Sequence, residues 1–581
     1  MFVKETTVRR GSREYTYLQM VEGYRDERGR VRHRVVANLG RKDALKASGQ
    51  LEALAGSFAR LDPPLVGVRR EVGALLLAAH FLAELDLVGV VDGVLPRGPR
   101  SQLSVGEVAA ALVASRLCSP SPLYDVAGWA SGAAVQELLG VPAALLNDDR
   151  LGRALETFAV YAEGVRGALA ARAIERFGLD AGRLHVDLTT VRVAGAYEHS
   201  ALVAKGWGSD RQVARQVRAL QAATADGVSL YLRPDPGSAA ELTLVGAALE
   251  RLLELSSPGL LMIGDSALGR PKTLCQIDRA GLQFIVPLRA DTGFRERYLA
   301  QLGSRALRPL PYVAERERRL PAELRTRYRG ALRSWELEDP ETGQTRRLRV
   351  AYIHSSEEAR EVANARERAL AKAEEQLARA QRGLGGRYYK TKTQVQRRVG
   401  QIVGTNIADL ITVKVGSRAG KPTLSWQRDQ AAIARATAAD GIYALATNKP
   451  GRLSAARVLE LYKDQEIVER RHRDLKQTLK VRPIFLHNDD RIHALVSIVG
   501  IALLIFGLIE SQLRHALDGQ RLDLLPEGRA AKPTGRNVLA AFQGLGLTYT
   551  TNGPVLDHLT HTQRRILDLL EIQPPWPQQD R

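Results

Sequence analysis

Cysteine is nearly absent: Cys118 and Cys275 are the only two in 581 residues, and neither belongs to a CxxC or a Cys/His cluster. That excludes a disulfide framework and a structural zinc site, and it fits a reducing cytoplasm. An apolar leader is missing too, since MFVKETTVRR has no hydrophobic stretch behind its charges and does not read as a signal peptide. Long hydrophobic runs are lacking except at 494–509, which contains Ser497, Gly500 and Gly507. At sixteen residues it falls short of the roughly 20 that cross a bilayer, so a helix buried in a core is expected and no membrane anchor. Acidic residues are in short supply: 64 Asp and Glu against 84 Lys and Arg leave a net charge of +20. The excess implies a polyanionic partner, most commonly nucleic acid, although ribosome-associated proteins and RNA enzymes share this balance and charge alone specifies no chemistry.

Apolar residues make up 45% of the chain, enough to bury several cores, and the length suggests three or four domains. Residues 1–64 alternate charged and β-prone positions, as in YTYLQMVEGYRDERGRVRHRVVANLG. A turn at Asp26, Glu27, Arg28 and Gly29 separates two strand-like segments, which predicts a small basic β-rich unit. Residues 65–180 read as helical, with runs such as EVAAALVASRLC broken at SPSP and at NDD; a helix-turn-helix DNA reader and a plain helical bundle fit equally.

The pattern changes to α/β over residues 181–292. LHVDLTTVRV alternates, VSLYLRP is a second strand, and GLLMIGD is a buried run ending in Gly and Asp. PKTLCQIDRAG and LQFIVPLRA then complete a βαβ unit, which favours a partly parallel sheet. A helix is also expected after the second strand, opened by Ser238 three residues before Glu241. Residues 293–440 interrupt with hairpin-like SWELEDPETGQTRRLRVAYIH, turning at PETG, and with a helical excursion at 357–383 in which Leu370, Leu377 and Leu384 stand seven apart. Residues 441–515 resume with the strand IYALATN, a long helix at 454–480 and the apolar helix, and residues 516–581 form a loop-rich tail with one helix near 561–572.

Asp265 stands just past a buried run and before a helix, at a strand's carboxyl end, where open α/β sheets place their ligands. Asp187 occupies another strand, on which His185, Asp187 and Thr189 share one face and Leu184, Val186 and Leu188 the other. Along 454–480, Tyr462, Gln465, Glu469, His472 and Lys476 recur at spacings of three, four, three and four and so project from one face. Leu461, Val468, Leu475 and Leu479 form a neighbouring stripe that buries the helix. By itself that helix fits a metal-binding carboxylate beside a phosphate-holding lysine, and equally a solvated charged face.

With the two aspartates beside it, YKDQEIVERRHRDLK resembles the signature of DDE transposases of bacterial insertion sequences, in the superfamily named for insertion sequence four. That signature is Tyr, two residues, Arg, three residues, Glu, six residues, Lys; Tyr462, Glu469 and Lys476 match, and Gln465 takes the arginine position. VDLTTV is similar to the family's first-Asp strand and IGDSALGRPK to its second, over about residues 180–510, with looser similarity at LNDDRLGRALE. The resemblance implies an α/β fold: an RNase H-like catalytic core interrupted by a β-rich insertion between second Asp and Glu, with a helical N-terminal region. It implies that Asp187, Asp265 and Glu469 hold two Mg²⁺ or Mn²⁺ ions and catalyse DNA cleavage and strand transfer. Tyr462, Gln465, His472 and Lys476 are expected to meet the DNA. Lys205 and Arg211, in the loop AKGWGSDRQVARQ, are expected to add contacts. The partners implied are double-stranded DNA, both terminal inverted repeats and target, and a second copy of the chain in a homodimer on paired ends. Glu466 is the alternative third acid if the helix register differs, and a non-transposing nuclease or a domesticated, inactive DNA-binding protein stay open as alternatives.

Overall fold

The computed structural model describes residues 2–10, 13–25, 31–50, 66–95, 102–207, 212–239, 259–301, 306–405, 407–481, 484, 486–524 and 528–579. The chain divides into two compact units. The smaller comprises Met1–Arg70, Gly546–His558 and Trp576–Arg581. Its strands Phe2–Arg10, Arg13–Arg25 and Val31–Arg41 pair antiparallel in sequence order, one strand more than the two segments expected, because FVKETTVRR joins the edge. The predicted turn at 26–29 lies outside the described residues. A hairpin of Gly546–Thr550 and Gly553–Leu556 gives the expected loop-rich tail more regular structure than its sequence pattern suggested.

The larger unit, Glu71–Leu545 with Leu559–Pro575, opens with helices and continues into a sheet. Helix Val105–Cys118 starts at Ser104, which exchanges hydrogen bonds with Glu107 in a capping box and so satisfies two N–H groups that the first turn leaves unpaired. The 30-residue helix α1 (Asp148–Phe177) is capped by Asn147, carries Asp148 and Asp149 against its N-terminal dipole, and stops where Gly178 turns left-handed.

Ten strands form the main sheet: β1 (Arg183–Arg192), β2 (Ala204–Trp207), β3 (Val213–Thr224), β4 (Ser229–Asp235), β5 (Leu261–Gly264), β6 (Gln283–Pro287), β7 (Arg308–Leu310), β8 (Tyr328–Glu338), β9 (Thr345–Ser355) and β10 (Ile442–Thr447). Their spatial order is β7-β8-β9-β10-β6-β5-β1-β3-β2, with β4 also on β3. β1, β5 and β6 run parallel and every other pairing is antiparallel. The parallel trio is central and covered on both faces, so His185 and Thr189 are buried as fully as Leu184 and Val186.

Two features depart from the sequence pattern. AKGWGSDRQVARQ is expected to be a loop, yet its two ends are the strands β2 and β3, with Lys205 opposite Arg215. The sequence of β3, VARQVRALQAAT, has a helix former's composition; pairing on both sides makes it a strand, a case of tertiary context overriding propensity. The helix expected from Ser238 to Glu241 onward lies outside the described residues from position 240.

Residues 306–355 add β7, β8 and β9 to the same sheet, with β8 and β9 joined at the Asp339–Gln344 turn. The segment between β9 and β10 then leaves as a helical excursion: α2 (Ser356–Arg382), helix Lys392–Val403, hairpin Ile411–Arg418/Lys421–Arg428 and helix Gln430–Ala438. It has its own apolar core, in which Leu370 and Leu377 meet Val395, Ile411 and Leu424.

The helix expected over 454–480 is not continuous. α3 (Ala455–Lys463) packs Val458, Leu459 and Leu461 onto Leu261, Ile263, Ile285 and Leu445 of the sheet. The chain then makes i→i+3 bonds across the start of α4 (Glu466–Arg473), Gln465 N–H to the Tyr462 carbonyl and Val468 N–H to the Gln465 carbonyl. Asp474–Thr478 widens into a π-turn. A 3-residue turn followed by a π-turn shifts the angular phase twice, so side chains spaced for one α-helical face are redistributed.

The apolar run also differs from expectation: α5 (Asp489–Leu517) is 29 residues long, long and apolar enough to cross a membrane, with 94% of its most apolar window buried inside the protein. Gly507 explains the close fit. A Cβ there would lie 3.0 Å from the Gly227 carbonyl oxygen and Val228 Cα, so only glycine lets α5 approach the β3–β4 turn this closely.

Candidate active site

Register places the two aspartates together. β1 and β5 pair in parallel with Arg183 opposite Leu261, His185 opposite Ile263 and Val186 opposite Gly264. One step further brings Asp187 level with Asp265 at the carboxyl ends of adjacent strands, roughly 4.8 Å apart in backbone spacing. Asp265 leaves its strand as the cap of a short 3₁₀ turn, its Oδ1 accepting the Ala267 N–H at 3.0 Å. A Cβ at Gly264 before it would lie 2.3 Å from Leu268 Cδ1, so any larger residue there displaces that buried leucine. Asp187 Oδ1 accepts the N–H of Leu188 at 2.8 Å.

Glu469, exposed in the first turn of α4, is a third acid whose charge reaches Asp187. The clustering is visible in the electrostatics: burial, the Asp265 charge and the Glu469 charge push the Asp187 carboxyl up to about 7, against the Leu188 N–H and Lys476, which favour ionisation. Tyr462 lies within the same field, its phenol pushed up to about 12 by burial and by Asp265 and Glu469. Lys476, half-buried in the π-turn, is the cation of the group.

His472 and Gln465 are placed differently from the expected DNA contacts. The His472 side chain is 12% exposed, with Nδ1 3.4 Å from Asp187 Oδ2. Burial, assisted by Lys476, lowers it to about 3, so the imidazole is neutral. Gln465 is 6% exposed. Its Oε1 lies 3.2 Å from His185 Nδ1 and its Nε2 donates to the Val186 carbonyl at 3.3 Å, so the amide ties the helix to β1 immediately before Asp187. The 3₁₀ break turns this side chain inward and away from solvent. Lys205 is exposed on β2, and Arg211 lies outside the described residues.

The other acids of the segment have separate engagements. Asp464 receives Arg183 at 2.9 Å, and Asp474 receives Arg471 at 3.0 Å. Glu466 lines a cleft of about 1070 Å³, which Arg470, Glu510 and Arg514 also line and which none of Asp187, Asp265 and Glu469 borders. Behind α4, the fully buried Arg471 donates to the Gly227 carbonyl and to Glu510, fixing the C-terminal end of the helix to the β3–β4 turn and to α5. Sequence spacing offers only the i,i+3 pair of Arg471 with Asp474 and gives no sign of the anchor to Glu510; its one signal is an acid, Glu510, directly after an apolar run.

Three carboxylates form an oxygen-only donor set of the kind that hard divalent cations prefer, and their mutual repulsion favours a cation between them. Among the described residues no group of three or more His, Cys, Asp and Glu side chains is placed to hold a metal ion.

Three family models match the chain: the N-terminal domain of IS1634 family transposases at residues 3–63, a domain of unknown function at 68–170, and the transposase DDE domain at 180–505. No curated protein matches. The DDE match spans more than half the chain and contains all three carboxylates, and that domain carries an RNase H-like α/β fold, binds DNA and works with divalent metal ions. On that match and the N-terminal one together, the chain belongs to the DDE transposases of insertion sequences.

Proposed function

We propose that this chain is a cut-and-paste transposase that cleaves DNA at the ends of its element and joins the freed 3′ hydroxyls to target DNA. The observation that carries the reading is the alignment of Asp187 with Asp265 across parallel strands, within the electrostatic reach of Glu469. In this reading the three carboxylates hold two Mg²⁺ or Mn²⁺ ions. Such ions supply Lewis acidity at the scissile phosphorus and lower the pKa of an attacking water.

The protein's own residues do the rest. Lys476 presents a point charge to a phosphate beside the cut. Tyr462 stays protonated at neutral pH and offers an O–H and an aromatic face. Gln465 and His472 are positioning residues: one fixes β1 against the helix, the other orients the Asp187 carboxylate. Lys205 adds a backbone contact from an exposed strand. Residues 293–440 serve as the insertion between second Asp and Glu, and residues 1–180 recognise the terminal repeats. The active species is a homodimer holding paired ends in the cytoplasm.

The test is cleavage and strand transfer on a fragment carrying the element's own ends with Mg²⁺, comparing wild type with Asp187→Ala, Asp265→Ala and Glu469→Ala. Loss of both reactions in all three, with DNA binding retained, supports the triad. Full activity in any one removes that residue, and cleavage without strand transfer would leave a nuclease.

A further inference from the structure

The excursion between β9 and β10 is an arm. Its two ends are neighbours in the sheet, where His354 pairs with Ile442 and the Ser355 N–H donates to the Gly441 carbonyl. α2, starting at that base, is 27 residues long and so rises about 40 Å, the length of roughly 12 base pairs of duplex.

Charge is segregated along the arm. Its carboxylates are concentrated in the first three-quarters of α2, where Glu367 and Glu374 both pair with Arg428 and Glu357 pairs with Arg316. From residue 376 to 408 there is neither Asp nor Glu, although 64 acids in 581 residues, one in nine, would place three or four in those 33 positions. The same stretch has seven cations: Arg379, Arg382, Arg387, Lys390, Lys392, Arg397 and Arg398. The last five are exposed, and none pairs with a carboxylate among the described residues. Even the capping box of helix Lys392–Val403 uses a neutral Gln394, leaving the first turn without an acid. Beside these cations Tyr388 is 75% exposed, with the Arg387 guanidinium 5.8 Å from its ring centre. A solvated face of a soluble protein mixes signs; an acid-free basic tip with an exposed aromatic fits a nucleic-acid backbone.

We propose that the arm tip, residues 387–398, binds the phosphate backbone of duplex DNA as a second contact surface remote from the carboxylates. The inference rests on the chain acting on DNA. Tip cations release counterions from the duplex, so each phosphate they neutralise adds about 0.9 to the salt dependence of binding. Tyr388 packs on the sugar-phosphate edge and contributes without changing that dependence.

The experiment uses the full chain and a labelled duplex carrying an element end. Kd is measured against salt for wild type, Arg387→Gln/Lys390→Gln, Arg397→Gln/Arg398→Gln, the five-fold variant that adds Lys392→Gln, and Tyr388→Ala. Hydroxyl-radical footprints and melting curves accompany each. Expected are log–log slopes lower by about 2 in each double variant and up to about 4 in the five-fold variant. Protection should be lost over one distal segment only, with cleavage-site protection and melting unchanged. A wild-type slope in the five-fold variant, with an intact footprint, overturns the arm contact while leaving DNA action standing. Absence of salt-dependent duplex binding by the wild type overturns both.

Discussion

Replacing Asp187 by asparagine keeps the side chain's shape and removes its charge. In the ion-free protein that charge is unfavourable, because Asp187 is buried beside Asp265 and Glu469 and titrates at about 7 where a free carboxyl titrates near 3.8. The folded state therefore holds the proton more tightly than the unfolded chain. Stability of the ion-free protein falls as pH rises from about 4 to about 7 and stays low above it. At 1.36 kcal/mol per pH unit the full cost at pH 8 is roughly 4 kcal/mol, and relaxation of neighbouring side chains brings it to about 2–4 kcal/mol. For a unit of nearly 500 residues, an unfolding entropy of about 2.1 cal/mol/K per residue makes 1 kcal/mol worth roughly one degree. Asp187→Asn should thus melt about 2–4 °C above wild type at pH 8 in EDTA and within about 1 °C of it at pH 4.5. Excess Mg²⁺ should reverse the order, since an ion that binds only the folded wild type raises its stability by mass action. Differential scanning calorimetry across pH, with and without Mg²⁺, measures all three. A wild type at least as stable as the variant at pH 8 in EDTA would refute the crowding of carboxylates on which the site is built.

Gln465→Ala takes the amide partner from the His185 Nδ1 and a donor from the Val186 carbonyl in a buried setting. Single-turnover cleavage should fall while DNA affinity holds within about twofold; a loss of affinity alone would return Gln465 to the DNA surface. His493 is lowered to about 4 by burial and by Arg166, so it is neutral when folded and protonated first when unfolded. Its contribution is present above pH 6.5 and lost as pH falls toward 4, at most about 3 kcal/mol, so His493→Gln should flatten the melting temperature between pH 6.5 and 4.5. Glu510→Ala strips the fully buried Arg471, together with Arg514 and Arg470, of a shared acid. A cost of about 3–5 kcal/mol should appear as a lower urea midpoint, and an unchanged midpoint would remove the anchor behind α4.

Much of the core was legible because its signals are local. GLLMIGD reads as a buried strand ending in an acid, and β5 with Asp265 has that form. LHVDLTTVRV reads as a strand, and β1 has that form, with residues of both faces buried in the parallel trio. The stripe Leu461, Val468, Leu475 and Leu479 is buried throughout. The transposase resemblance rested on short motifs in order, and family models found over the same stretch agree with it. What misled was also local. β3 has helical composition, the 454–480 helix carries no Pro or Gly to announce its 3₁₀ and π interruptions, and the helix around 494–509 extends past its apolar run by five residues upstream, where Asn488 caps it, and by eight downstream, where Asp518 ends it.

The sequence by itself determined which segments are strands or helices where periodicity is strong, where the acids stand, and that the chain carries an excess of positive charge. Only the tertiary structure decided that Asp187 lies level with Asp265, that Gln465 turns inward to hold β1, and that an acid-free tip stands at the far end of an arm. Strand register, helix phase after an interrupted turn, and the projection of one element beyond another are set by partners distant in the chain. Residue spacing along a single element does not encode them.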